Sequence, residues 1–367
     1  MKLGDLDFRS NGIGFLRFFF AATVIWSHGY GLGGFGYDTL NRLNVNAPSI
    51  GLLAVGGFFV LSGFLITRSY ETVTSPARFL WHRFLRIFPA FWVCLFVTAF
   101  GFAPLAFFYA HGTLLRFFAE SPAPWTYVTA NSLLALHQWR IGTLLSRVPY
   151  PFVFNSSLWT LEYEFTCYLC VAALGIAGVI RRAPVLIAGS ALCLFFYYIS
   201  VLWRFGGHGM PIILAPLGLF VYFAAGSYAY IVRDRVPIRG WAAALCAAAL
   251  IGTLPTRAFA FIAIPAVCYL TLFAAVRLPI RGFDRRIDLS YGLYIYAFPV
   301  AQLLVMCGVA AHGIVAFGAL TCAIAMGLAG ASWFLIEKPS LALKHRAFAL
   351  RQPGRPSPSS GALRARL

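Results

Sequence analysis

Residues 49–67 read SIGLLAVGGFFVLSGFLIT, a run without a single charged side chain. An apolar stretch of roughly 20 residues is the length at which an α-helix crosses the hydrocarbon core of a bilayer. Comparable stretches recur along the whole chain and predict ten membrane-spanning helices. The predicted spans are residues 12–30, 49–67, 84–108, 158–180, 184–202, 211–232, 240–254, 258–276, 289–311 and 314–336. We therefore expect an all-α membrane protein with about ten transmembrane helices.

The composition excludes two classes of protein. Of the 367 residues, 60% are hydrophobic and only 11% are charged, whereas a soluble domain carries about 25% charged residues. The chain cannot cover a water-facing surface and is not a soluble enzyme. The net charge of +18 is typical of nucleic-acid binding, but the basic residues lie in short clusters between apolar runs and no nucleic-acid-binding motif accompanies them. We expect no nucleic-acid partner, and no cluster of His, Cys or Asp has the spacing of a metal site.

The distribution of basic residues predicts the orientation in the membrane. Ten spans place both termini on one side, and 22 of the 29 Lys and Arg residues fall on that side, against 6 on the other. Basic residues concentrate in cytoplasmic loops. We therefore expect both termini in the cytoplasm and a multi-pass protein of the bacterial inner, or plasma, membrane.

The chain divides into one membrane domain and a short tail. Residues 1–337 form the predicted transmembrane domain, in which residues 109–157 are too polar and Pro-rich to span and are expected to form a long external loop. Residues 338–367 are rich in Pro, Ser and Arg, a composition typical of disorder. We expect them to form a basic cytoplasmic tail.

The first span carries two ionisable residues, Arg17 and His28. Burial of such groups in lipid is costly, so they are candidates for function. Their spacing of eleven residues corresponds to about 16 Å of helical rise and to nearly the same helix face. One face would thus carry a cation at its cytoplasmic end and a titratable base towards the outside. Arg17 could equally reach lipid headgroups, with His28 capping the helix near the interface.

Two further groups of polar residues border the spans. Glu162 and Glu164 lie in the fourth span, and Glu164 shares a helix face with Tyr168. One carboxylate could instead pair with an arginine of another helix for structural reasons. Arg83 and Arg86 open the third span from the cytoplasmic side and suit a phosphate-bearing ligand. Anchoring at the cytoplasmic surface explains these arginines as well.

Six blocks along the chain together resemble one known family. The blocks are Arg17 with His28, residues 57–67, residues 83–89, residues 158–168, residues 288–294 and residues 333–339. In this set and order they resemble the bacterial acyltransferase 3 family, integral membrane enzymes that O-acylate cell-surface and exported saccharides. The chain departs from many members at Ala297, where a histidine often stands. His28 would therefore be the sole histidine base.

The resemblance implies a donor, a reaction and roles for the residues. The donor would be a cytoplasmic acyl-CoA, most simply acetyl-CoA, with its phosphates on Arg83, Arg86 and Arg17. His28 would act as general base on a saccharide hydroxyl, the saccharide being an exopolysaccharide, an O-antigen or a lipid-linked precursor.

The same family pattern implies a catalytic role for Glu164, which would orient His28 or bind the sugar. It also implies substrate contacts for Tyr168, Trp159 and Ser62. Direct transfer and a covalent acyl-enzyme both remain open. The alternatives are a non-enzymatic transporter or flippase of lipid-linked saccharides, which intramembrane charges also suit, and a purely structural role in polysaccharide assembly.

Overall fold

The structure is a computed structural model, and it describes residues 1–43, 48–73, 75–182, 184–205, 214–280, 282–283 and 286–344. Within these ranges all regular elements are helices, joined by turns and one isolated β-bridge between Lys2 and Pro237. The all-α prediction is confirmed. Most of the predicted tail, from residue 345 onward, lies outside the described residues.

Fourteen α-helices are described, and local sequence explains several of their ends. The helices are α1 (Ile13–Gly33), α2 (Ile50–Thr72), α3 (Pro76–Val97), α4 (Ala103–His111), α5 (Pro124–Asn131), α6 (Trp159–Ile176), α7 (Val179–Arg182), α8 (Pro184–Phe205), α9 (Leu214–Ile231), α10 (Gly240–Thr253), α11 (Phe259–Arg277), α12 (Ser290–Met306), α13 (Gly313–Ser332) and α14 (Lys338–Ala342). Ser49 starts α2 because its hydroxyl accepts the Leu52 amide at 3.0 Å. Gly34 ends α1 in the left-handed region, with φ at 76°.

Each predicted span coincides with a helix, although two of these helices run further than predicted. The third continues from Pro76 to His111 through a π-helical turn at Thr98–Phe102, and the tenth continues to Ala342 through a second π-helical turn at Trp333–Glu337. In the described part of the chain, four helical stretches are long and apolar enough to cross a membrane. These are Ile50–Thr72, Pro76–His111, Phe259–Arg277 and Val309–Ala342. The helical architecture with four candidate membrane spans is therefore shown, and the count of ten spans stays a prediction.

Helix α2 is the most buried of the four long helices and packs closely against α9. A Cβ atom on Gly63 would lie 2.0 Å from the Phe223 carbonyl oxygen, and one on Gly226 would lie 2.1 Å from the Val60 carbonyl oxygen. Both glycines thus let the two backbones touch, as small residues do between membrane helices. This contact places α2 at the centre, where α1, α6 and α11 also meet it.

The segment 109–157 is held against the helices by buried side-chain amides. Gln302 of α12 donates to the carbonyls of Tyr150 and Val153 at 2.8 and 2.7 Å. Asn155 donates to the Ile295 carbonyl at 2.7 Å and is 1% exposed. The end of the segment is therefore fixed to α12, which determines where the chain enters α6.

Candidate active site

A cavity of about 270 Å³ lies between α1, α2, α3, α6, α12 and the end of the last helix. Its lining is rich in charge for a membrane domain. The charged lining residues are Arg17, Arg83, Arg86, Glu164, Asp288 and Lys344. With four cations and two carboxylates, the cavity has an excess of positive charge and suits an anionic ligand.

Asp288 joins two of the predicted phosphate-binding arginines. Its Oδ2 atom lies 2.8 Å from Arg17 Nη1 and 2.5 Å from Arg86 Nη2, and its Oδ1 atom accepts the Ser290 hydroxyl at 2.6 Å. Burial alone would raise the pKa of Asp288, but the two guanidinium groups outweigh burial and hold the pKa well below its usual range. Asp288 is thus a permanent anion that fixes α1 and α3 to the start of α12. Arg86 also lies 4.0 Å from Glu337 of the last helix.

Two other cations of the lining have no carboxylate partner within the described ranges. The Nε atom of Arg83 is buried and makes no hydrogen bond there, and the Lys344 ammonium makes no ion pair there either. Burial, together with the charges of Arg83 and Arg86, lowers the pKa of Lys344 to about 8. Such cations have affinity for an anion supplied from outside the protein.

Glu164 lies on the α6 side of the cavity with its carboxylate held by two hydroxyls. The Tyr168 hydroxyl donates to Glu164 Oε1, and the Ser62 hydroxyl donates to the same atom at 3.3 Å. These contacts join α6 to α2. The three residues form one polar patch of the lining.

Along α6 and α12 the lining residues nearest to His28 are Thr160 and Tyr294, whose hydroxyl oxygens lie 2.7 Å apart. His28 lies beyond this pair. Its ring Nδ1 is 3.4 Å from the Ser157 hydroxyl, and its ring meets the edge of Phe298 with centroids 5.4 Å apart. Thr160 is three residues beyond Ser157, and Tyr294 is four residues before Phe298. Each lining residue is therefore about one helical turn, or roughly 6 Å at most, from the residue that contacts His28.

A third element supports this separation. Val55 of α2 lines the cavity, whereas Gly51, one turn earlier, packs against Ser27, the neighbour of His28. The C-terminal end of α1 and the N-terminal end of α2 are joined by Asp38, which accepts the Ser27 hydroxyl at 2.7 Å and the Ile50 amide at 2.8 Å. His28 is therefore held one turn beyond the cavity on the α2, α6 and α12 sides alike.

The structure brings most of the predicted site residues together. Those that line the cavity are Arg17, Ser62, Arg83, Arg86, Glu164 and Tyr168. His28 is separated from them by the Thr160–Tyr294 pair, and Trp159 lies outside the lining, with its ring against Tyr163 at 5.6 Å. Glu164 is seven residues past Ser157, about 10 Å along a helix, so its hydrogen bonds serve the cavity and not the His28 ring.

Sequence reasoning missed several residues of the site. Asp288 had a visible signal, since it is one of only 11 acidic residues and directly precedes a span. Thr160, Tyr294 and Ser157 carry no charge and gave no such signal. Lys344 was assigned to the tail with the other basic residues there, because nothing local shows that the last helix brings it back to Arg83.

Comparison with known proteins agrees with this arrangement. The family model of the acyltransferase domain, acyltransferase 3, matches residues 10–336. The chain belongs to the acyltransferase 3 family. The match includes all of the charged lining except Lys344. The protein is therefore an acyltransferase of the membrane, and the transporter and purely structural alternatives are not needed.

Two curated relatives extend the comparison. The chain is 29% identical to nodulation protein 10 of Rhizobium leguminosarum bv. viciae, with 93% of this chain and 96% of the relative aligned. It is 26% identical to the O-acetyl transferase of Shigella phage Sf6, over 90% of this chain and 96% of the relative. No solved structure matches the chain.

Proposed function

We propose that the protein transfers a short acyl group, acetyl in the simplest case, from cytoplasmic acyl-CoA to a hydroxyl group of a cell-surface or exported saccharide. One observation carries the proposal: a cavity whose lining holds two cations without a carboxylate partner in the described residues reaches to within one helical turn of His28. A linear donor with phosphates at one end and a thioester at the other fits this arrangement. The name of the phage relative, O-acetyl transferase, supports acetyl as the group and oxygen as the acceptor.

The proposed topology is a ten-span protein of the bacterial inner membrane with cytoplasmic termini. The positive-inside asymmetry of the sequence supports this orientation. Lys344 follows the last helix and lines the same cavity as Arg83 at the start of α3. That end of the cavity would then open to the cytoplasm, where acyl-CoA is made, and His28 would lie towards the outer side, where the saccharide is exported.

In this proposal the donor is held by the cations. Arg83 and Lys344 lack carboxylate partners in the described structure and would receive the phosphates directly. Arg86 and Arg17 already share Asp288, so they would add positive potential around the same ligand. A volume of about 270 Å³ is smaller than a typical drug-sized pocket. The thioester and the pantetheine arm would enter, with the phosphates at Arg83 and Lys344 and the adenosine outside the cavity.

The transfer step follows from the position of His28. The imidazole Nε2 removes the proton of the acceptor hydroxyl as its oxygen attacks the thioester carbonyl, and the carbon–sulfur bond breaks to release CoA. The proton on His28 then passes to the CoA thiolate, so the enzyme ends in its starting state. Ser157, at Nδ1, would orient the ring with Nε2 towards the substrate. No cysteine is among the described lining residues, which favours direct transfer over an acyl-enzyme.

The experiment that tests this function compares cells with and without the gene. Exopolysaccharide, lipopolysaccharide and secreted oligosaccharides are isolated from each and analysed for ester-linked acetate by NMR and mass spectrometry. Membranes from both strains are then supplied with radiolabelled acetyl-CoA and saccharide from the deletion strain. We expect label in the saccharide only when the protein is present. Equal ester content in every fraction, with no transfer of label, would contradict the proposal.

A further inference from the structure

The part of the cavity wall nearest to His28 includes two buried hydroxyl side chains. The hydroxyls of Thr160 and Tyr294 lie 2.7 Å apart, and the two residues are 4% and 9% exposed. The Tyr294 ring also meets the edge of Phe58 with centroids 6.0 Å apart. Tyr294 is therefore supported by α6 through a hydrogen bond and by α2 through a ring contact.

In the proposed donor orientation, the acyl group would lie against this part of the wall. Phosphates held at Arg83 and Lys344 would place the acyl group at the opposite, inner end of the cavity. The first groups that the acyl chain meets there are Thr160, Tyr294 and Phe58, and His28 lies one turn beyond them. The acyl group would lie against this pair when the thioester is within reach of an acceptor beside His28, so the space around the Tyr294 ring limits the size of the acyl group.

We propose that Tyr294, supported by Thr160 and Phe58, is the residue that determines specificity for short acyl chains. This inference rests on the proposed function and adds to it the acyl class of the donor. Each methylene added to the acyl group would press against a wall that is fixed from two sides. The thioester would be held further from His28 and the pantetheine arm would be pushed back towards the arginines.

The other tyrosines of α12 do not occupy the position that Tyr294 has in the cavity wall. The Tyr291 hydroxyl donates to the Ile87 carbonyl at 2.8 Å and so is directed to α3. Tyr296 is 3% exposed and lies outside the cavity lining. Tyr296→Ala therefore makes the same change in size on the same helix without altering the cavity, which makes it a matched control for Tyr294→Ala.

The test measures binding, which does not require the acceptor to be known. Purified protein in lipid nanodiscs is titrated by calorimetry with CoA, acetyl-CoA, butyryl-CoA and hexanoyl-CoA. For the wild type and for Tyr296→Ala we expect affinity to fall by about tenfold from acetyl-CoA to hexanoyl-CoA, the effect of overfilling a packed site. Tyr294→Ala should bind hexanoyl-CoA at least as tightly as acetyl-CoA and should bind CoA as the wild type does.

Tyr294→Leu, a smaller reduction in volume, provides a second variant and should favour butyryl-CoA. If both Tyr294 variants keep the wild-type order of affinities, Tyr294 does not determine acyl length, and the acyl-CoA donor still stands. If the wild type binds neither CoA nor acetyl-CoA, the proposed donor is wrong and this inference is wrong with it.

Discussion

At the Lys344 end of the cavity most polar side chains are charged, whereas around His28 the side chains are neutral and hold the ring in position. The first region holds Arg83 and Lys344 without carboxylate partners in the described structure, beside the buried Arg17–Asp288–Arg86 group. In the second region the contacts of His28 are a hydroxyl and the edge of a phenyl ring. The comparison shows that one region is suited to attract an anionic ligand and the other to hold an imidazole ring in position.

The largest effect should come from His28. If it is the general base, His28→Ala should lower acyl transfer by roughly a hundred- to ten-thousand-fold, with acetyl-CoA affinity close to that of the wild type. His312→Ala is the matched control, because His312 lies in the exposed turn before α13. Transfer is followed with radiolabelled acetyl-CoA, and binding by calorimetry. Near-normal transfer by a well-folded His28→Ala protein would remove the base assignment.

The next effect concerns stability at the charged end. Asp288→Asn should destabilise the protein by about 3 kcal/mol, because two partly buried guanidinium groups would lose their shared anion. The measurement is thermal unfolding in detergent, followed by tryptophan fluorescence. In the double variant with Arg17→Gln the loss should be smaller than the sum of the two single losses. Strict additivity would show that Arg17 and Asp288 do not depend on each other.

Replacement of Arg83 should lower the affinity for the donor more than it lowers the stability of the fold. Arg83→Ala removes a cation that has no carboxylate partner in the described chain, so we expect acetyl-CoA affinity to fall about tenfold and thermal stability to change little. The loss should shrink at high salt, since screening weakens the same interaction in the wild type. Arg42→Ala, an arginine outside the cavity, serves as control. If Arg83→Ala binds acetyl-CoA as tightly as the wild type does, Arg83 anchors the helix at the membrane surface and does not bind the donor.

The pH dependence of donor binding tests Lys344. Its pKa is lowered to about 8, so the ammonium is charged at pH 7 and mostly neutral at pH 9. Acetyl-CoA affinity should therefore fall as the pH rises between these values, by several-fold. Lys344→Arg, which stays charged throughout this range, should remove most of the fall. If the variant shows the same pH profile as the wild type, another group controls donor binding.

Ser157 should give the smallest effect. Ser157→Ala removes one neutral hydrogen bond to the His28 ring, a loss of about 1 kcal/mol or roughly fivefold in transfer. Acetyl-CoA affinity should not change, because Ser157 lies outside the cavity. Ser156→Ala is the neighbouring control. A change in binding without a change in transfer would place Ser157 with the donor and contradict the division between the two regions.

Much of the fold was predictable because it depends on local composition. A run such as residues 49–67 has to be a helix in lipid, where every backbone amide needs an internal partner. The grouping of Arg17, Arg83, Arg86, Glu164 and Tyr168 was predicted by family resemblance, and the cavity brings them together. The lengths of the third and tenth predicted helices were not predicted, because π-helical turns continue both helices beyond their apolar runs.

The sequence by itself determined the class of the protein, its helices and the residues worth testing, because these follow from hydrophobicity, charge and motif spacing along the chain. Only the tertiary structure decided which of those residues meet. Arg17 and Asp288 are 271 positions apart, and their pairing depends on how α1 packs against α12. Likewise, the packing of α6 against α12 brings Thr160 and Tyr294 within 2.7 Å of each other on the side of the cavity nearest to His28.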